Sequence, residues 1–178
     1  MNARARILSK LVARSEPVDF ESLYHQEVNR VYNYFRFRVG ESSLAQDLTS
    51  ETFERAWRNR SQYRRDLAAF STWLFAIARR VLADYQRKYR PVVSLEAAAH
   101  LPLQETMEEA IQKRLDFARL NLLLSQLAER DRELVALRYG AGLTNRAIAR
   151  LTGLSETNVG VSLHRIVKKL REEWEEKA

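Results

Sequence analysis

The chain has 178 residues, 46% of them hydrophobic, with no cysteine and a formal net charge of +7. That length accommodates one or two domains with an ample core, and the missing cysteines exclude disulfides, thiolate zinc sites and thiol chemistry. The basic balance favours a polyanionic partner.

His25, His100 and His164 lie far apart and form no metal-ligand spacing. No apolar run reaches the roughly 18–20 residues that a membrane span needs. The opening MNARARILSK is basic but lacks a secretory apolar core. A soluble, cytoplasmic protein is therefore expected. With only 5 Gly and 3 Pro and few alternating runs, the fold class is all-α.

In chain order, residues 18–40 predict a helix, with Phe20, Leu23, Tyr24, Val28, Val31, Tyr32 and Phe35 at helical spacing and Gly40 as its stop. Ser43 opens the next helix, with Gln46 as a capping-box partner. This helix runs to about Arg60 and carries Leu44, Leu48, Phe53, Ala56 and Trp57. Residues 61–69 read as a polar loop. A third helix follows over 70–90, striped by Phe70, Trp73, Leu74, Ile77, Val81 and Tyr85, and Pro91 ends it.

Residues 91–112 change character: two prolines, four glutamates and no Lys or Arg. This is an acidic, flexible linker, with a helical start near Glu105. A second helical unit begins at about Lys113. Two small helical domains are thus expected, over residues 1–90 and 113–178, joined by the linker 91–112. Charge is uneven between the halves. Residues 1–90 hold 17 Lys and Arg against 10 Asp and Glu, while residues 91–178 hold 13 against 13. The basic excess therefore points to a nucleic-acid surface in the first half.

The second half carries a helix-turn-helix over 143–170. Thr144 or Asn145 caps a short helix bearing Ala147, Ile148 and Leu151, and Gly153 takes the turn. Leu154 plugs the core. Ser155 caps a second helix striped by Val159, Leu163, Ile166, Val167 and Leu170. Such a pair presents its second helix to a DNA major groove; an ordinary helical hairpin in a bundle core is the competing interpretation.

Three segments together, LAQDLTSETFERAW (44–57), FSTWLFAIARRVLADYQRKYR (70–90) and residues 127–170, resemble the extracytoplasmic-function sigma factors of the sigma-70 family in order, spacing and length. The resemblance covers about residues 18–172. It implies a non-enzymatic protein that binds bacterial core RNA polymerase, opens promoter DNA and directs initiation. The first domain would read the −10 element as a single strand, and the second the −35 element as duplex. An anti-sigma partner is implied as well. No cofactor, metal or catalytic residue is expected: the chain lacks a phosphate-binding loop, a nucleophile elbow and a ligand cluster.

On this resemblance Gln46, Asp47, Leu48, Glu51, Thr52 and Phe53 would contact polymerase, with Asp47 and Glu51 foremost. On spacing alone, Phe53 and Trp57 belong to the core. The −10 surface would combine Tyr63, Arg64, Arg65, Asp66, Leu67 and Ala68 with Arg79, Arg80, Arg87, Lys88 and Arg90. Cations there hold phosphates, and Tyr63, Tyr85 and Tyr89 offer rings for stacking. Trp73 falls on the apolar stripe. In the −35 helix, relatives commonly carry Lys or Arg, then Ser, then Arg, where this chain has Gly160, Val161 and Ser162. Ser155, Glu156, Thr157 and Asn158 remain for bases. His164, Arg165, Lys168, Lys169 and Arg146 remain for phosphates. The acidic linker serves either as a tether or as the occupant of a basic polymerase channel.

The depleted recognition helix motivates an alternative, a sigma-like decoy that sequesters an anti-sigma factor. Replacing Gly160 and Ser162 by arginine is expected to tighten duplex binding in a titration of −35 DNA, since each bidentate arginine–guanine contact contributes roughly 1–3 kcal/mol of discrimination.

Overall fold

The computed structural model describes residues 19–89 and 107–176, and all its regular structure is helical. The basic N-terminal stretch, Arg90, His100, Glu105 and most of the acidic linker lie outside the described residues. Among the described residues no helix is long and apolar enough to cross a membrane.

Three helices form the first unit. Helix α1 spans Phe20–Val39; its N-cap Asp19 accepts a hydrogen bond from the Ser22 amide, and Gly40 at φ 77° closes it. Helix α2 spans Ser42–Arg58. Its N-cap is Glu41, without a side-chain capping bond, so the expected Ser43–Gln46 capping box does not form. The Ser43 hydroxyl instead donates to the Glu41 carboxylate. A 3-10 turn over Arg60–Gln62 and a loop lead into α3, Phe70–Lys88. Val31, Tyr34, Phe35, Leu48, Leu74, Phe75 and Val81 pack in the centre, each at most 2% exposed.

Helix α4 spans Met107–Ser125 and so begins inside the stretch expected to be linker. Helix α5, Glu129–Val135, runs on into a widened π-type turn over Ala136–Gly140. There the amide of Ala141 reaches back to the carbonyl of Ala136. Helix α6, Asn145–Thr152, and helix α7, Glu156–Glu176, complete the second unit. Its core is Leu123, Leu124, Leu134, Leu137, Ile148, Val159, Leu163 and Ile166.

The two units share one continuous hydrophobic cluster. The seam lies where the π-type turn meets α1. A Cβ added at Gly140 would stand 2.9 Å from the Asn33 carbonyl oxygen and 3.0 Å from the Tyr34 Cα, so only glycine allows this approach without displacement. Helix α4 braces the assembly. Phe117 stacks under the Arg36 guanidinium at 4.3 Å, and Arg119 lies over the Trp174 ring at 4.2 Å.

Phe75 is fully buried, edge-on to Tyr34 at 5.7 Å between ring centres. Phe75→Ala is expected to lower stability by about 3–5 kcal/mol, read as a reduced urea midpoint in far-UV circular dichroism.

Candidate nucleic-acid interface

The recognition helix is built from its caps outward. Thr144 Oγ1 accepts the Ala147 amide at 3.2 Å, and Ser155 Oγ accepts the Asn158 amide at 3.1 Å. Both hydroxyls thus satisfy amides that a helix start leaves free. Gly153 makes the turn between them at φ 74°, ψ 9°. Helix α7 buries Val159, Leu163 and Ile166, which turns Thr157, Asn158, Val161, His164, Arg165 and Lys168 outward. Val161 is the apolar centre of that face, 65% exposed.

Gly160 is only partly open to solvent. The position of a Cβ there lies 3.4 Å from Asn145 Nδ2, so this glycine sits at the crossing of α6 and α7. That distance is ordinary van der Waals contact, and Gly160 is half-buried at the edge of the outward face. Ser162 is half-buried.

Several cations of this face already have acidic neighbours. Arg146 pairs with Glu156 at 3.4 Å, Arg165 with Asp131 at 3.5 Å, Lys168 with Glu172 at 3.8 Å and Lys169 with Glu173 at 3.6 Å. All four cations are more than half exposed. Ion pairs at such positions are worth little in water and exchange readily for phosphate.

In the first unit, the loop after the 3-10 turn is organised by Tyr63. Its hydroxyl donates to the Ala68 carbonyl at 3.2 Å, and its ring packs against Phe70 and Trp73 at 5.4 and 5.3 Å. Partial burial raises its pKa, with Arg65 opposing. Tyr63 therefore shapes the loop from below, and its ring is not free to stack on a base in this arrangement. Trp73, half-buried, joins the same cluster. Above it, Arg64, Arg65, Asp66 and Leu67 are exposed, with Arg64 holding Asp66 through two bonds of 3.0 and 2.9 Å. Leu67 is 68% exposed, an apolar surface beside two cations.

Helix α3 divides its arginines. Arg80, Arg87 and Lys88 are exposed, and Arg87 pairs with Asp84 at 3.1 Å. Tyr85 and Tyr89 lie against each other at 5.0 Å. Arg79, expected on the DNA surface, is instead engaged at the seam. Its Nε donates to Glu133 Oε1 at 2.6 Å, and its Nη1 donates to the Leu151 carbonyl. Helical periodicity could not reveal this, because both acceptors lie in the other unit.

On α2, Gln46, Asp47 and Ser50 are exposed and Glu51 is half-exposed, paired with Arg55. Leu48, Thr52 and Phe53 are buried. Thr52 Oγ1 returns its proton to the Leu48 carbonyl at 2.7 Å. These three lie beneath the outer face rather than on it. Trp57, assigned to the core by spacing, is 49% exposed, with Arg60 over its ring at 4.0 Å.

Sequence reasoning missed Arg30, Arg38, Glu129, Glu133 and Arg150. Arg150 is exposed and lines a groove with Arg80 between α3 and α6. The only local signal was the Glu129–Glu133 spacing, which puts both carboxylates on one helix face. No group of three or more His, Cys, Asp or Glu able to hold a metal occurs among the described residues.

The chain matches the model of sigma-70 region 2 over residues 23–92 and that of sigma-70 region 4 over 117–170. It is 31% identical over 172 residues to the ECF RNA polymerase sigma factor BldN of Streptomyces coelicolor, covering 95% of this chain and 65% of that relative's length. It is 28% identical over 161 residues to the ECF RNA polymerase sigma factor SigL of Mycobacterium tuberculosis, covering 89% of this chain and 90% of SigL. Two solved structures share the fold. One is CnrH in complex with the cytosolic domain of CnrY (TM-score 0.67, 22% identity, 97% of this chain and 98% of that one). The other is the sigma factor RpoE in complex with the anti-sigma factor NepR from Bartonella quintana (TM-score 0.69, 19% identity, 86% and 95%). With sigma-70 regions 2 and 4 matched in order, the chain belongs to the sigma-70 family of RNA polymerase sigma factors, in its extracytoplasmic-function group.

Proposed function

We propose that this chain directs transcription initiation as a sigma factor, without chemistry of its own, by joining core RNA polymerase to promoter DNA. The observation that carries the proposal is the outward face of α7, capped by Ser155 and opposite a fully packed stripe, in a helix-turn-helix joined to a cationic helical unit. Domain boundaries at 1–90, 91–112 and 113–178 remain part of this reading.

Roles follow from exposure. Gln46, Asp47 and Glu51 on α2 offer polymerase an acidic face over a rigid apolar support. Arg64 and Arg65, with the exposed Leu67 between α2 and α3, suit a melted −10 strand: cations for phosphates, apolar surface for an unstacked base. Arg80, Arg87 and Lys88 extend that track along α3. On α7, Thr157, Asn158 and Val161 face the −35 duplex, with Arg146, His164, Arg165, Lys168 and Lys169 nearer its phosphates. Val161 gives a methyl-contacting surface where a bidentate arginine would read guanine, so −35 readout is weak and biased towards thymine. RpoE is seen with an anti-sigma factor, and an anti-sigma partner is proposed here too.

Run-off transcription with core polymerase separates this function from that of a decoy. Promoter-dependent transcripts are expected; polymerase binding without initiation would establish the decoy instead. Arg64→Ala combined with Arg65→Ala is expected to weaken binding of a −10 single strand and to flatten its log–log salt dependence by roughly 1.4, at about 0.7 per lost phosphate contact. An unchanged salt slope would remove the loop from the DNA surface. Val161→Arg, at an open position, is expected to strengthen duplex binding by roughly tenfold in fluorescence anisotropy. Unaltered affinity would mean that α7 does not face DNA.

A further inference from the structure

The basic excess of the first half has a second source outside its helices. Residues 1–18 carry Arg4, Arg6, Lys10 and Arg14 against Glu16 alone. Residues 19–89 carry twelve Lys and Arg against nine Asp and Glu. The short N-terminal stretch therefore holds the same excess of three charges as the whole folded unit that follows it. The folded cations are also less free to meet a polyanion. At least seven of the twelve, Arg38, Arg58 and Arg79 among them, already hold a carboxylate.

Aromatic packing fixes where this stretch meets the first unit. Asp19 caps α1, and Phe20 is the first residue of that helix. The Phe20 ring meets Phe70 edge-on at 6.1 Å between ring centres, and Phe70 directly follows the loop that exposes Arg64, Arg65 and Leu67. Phe70 also meets Tyr63, where the loop begins. It thus joins the start of α1 to both ends of the loop. Phe20 meets Trp57 as well, at 5.1 Å, and Arg60 of the 3-10 turn lies over that Trp57 ring. Arg14 stands five residues before Asp19, and Arg4 fifteen. At about 3.3–3.6 Å per residue they lie at most roughly 18 and 54 Å from it.

We propose that residues 1–18 are a basic arm that binds the phosphates of promoter DNA beside the −10 element, without reading its sequence. Lysine and arginine bind a nucleic-acid backbone by displacing condensed counterions, and that contribution needs charge density rather than a shaped pocket. DNA held at Arg64 and Arg65 passes the point where the arm leaves α1. Ile7, Leu8, Leu11 and Val12 among the cations would also suit an anionic membrane surface. The junction beside the Arg64–Arg65 loop favours DNA. The inference rests on the promoter-binding function proposed above and adds a contact to it.

Two variants of the full chain test it, and neither touches a residue of the folded units. One combines Arg4→Gln, Arg6→Gln, Lys10→Gln and Arg14→Gln. The other combines Arg4→Lys, Arg6→Lys and Arg14→Lys and keeps the charge. Holoenzyme assembled from core polymerase and each chain is titrated with a fluorescent oligo-deoxythymidine strand over a range of salt. Each lost phosphate contact flattens the log–log salt dependence by about 0.7, so the glutamine variant is expected to be shallower by roughly 2.8. Over a fourfold rise in salt the parent then loses roughly fiftyfold more affinity than that variant. The lysine variant is expected to follow the parent. Equal slopes for the parent and the glutamine variant overturn the arm. If the parent then sediments with phosphatidylglycerol vesicles and the glutamine variant does not, the partner is a membrane. A lysine variant that behaves like the glutamine one also overturns it, since phosphate neutralisation asks only for charge. So does a glutamine variant that no longer joins core polymerase, because the arm is then a polymerase contact. Run-off transcription separates the two proposals. A parent that gives no promoter-dependent transcript removes the promoter-binding function and the arm's role with it, whereas transcripts with equal slopes remove the arm alone.

Discussion

The close approach of the Gly140 turn to the backbone of α1 is the constraint around which this molecule is arranged. No side chain separates the two main chains at that point, so the second unit is set against the first at backbone distance. The widened turn makes this possible. One extra residue in the helical repeat, with Ala141 bonding back to Ala136, swings Gly140 outward from α5. Irregular turns of this type often sit where a helix must present itself to something else. Here that neighbour is the other half of the same chain.

Once the seam is closed, the arginines divide into two populations. Arg30, Arg38 and Arg79 are consumed inside the protein, each with a carboxylate or carbonyl acceptor in the opposite unit. Arg64, Arg65, Arg80 and Arg87 remain at the surface. A formal charge of +7 therefore overstates neither half by itself, but it conceals that part of the first unit's basic excess is structural. These part-buried pairs are not a simple source of stability. Taking the Arg38 side chain out of water is costly, and its attraction to the more exposed Glu129 repays that cost only with good geometry and full hydrogen bonding. Their value lies in registry: Arg38 and Arg79 fit only when α5 lies at one height along α1 and α3.

The recognition helix shows a complementary economy. The resemblance to sigma factors leads one to expect cations where this chain has Gly160, Val161 and Ser162. Gly160 and Ser162 are half-buried, Gly160 beside Asn145 of α6, and Val161 alone of the three is fully outward. Sequence position therefore misled where helix faces did not: adjacent residues on a helix point about 100° apart, and only one of the three can occupy the centre of a DNA-facing surface.

Much of the architecture was legible in the residues themselves. Periodicity placed α1, α2, α3, α6 and α7 because a 3.6-residue repeat of apolar side chains survives in a linear string. Thr144, Ser155, Gly40 and Gly153 could be assigned because caps and left-handed turns depend on local chemistry alone. The charge of Arg64 and Arg65 and the acidic face of α2 were equally local. What tertiary structure alone decided was the exposure of Trp57, which spacing assigns to the core, and the capture of Arg79 across the seam by Glu133 and Leu151. These outcomes depend on partners 50 or more positions away for the seam contacts, and no repeat or cap encodes where a distant helix will come to rest.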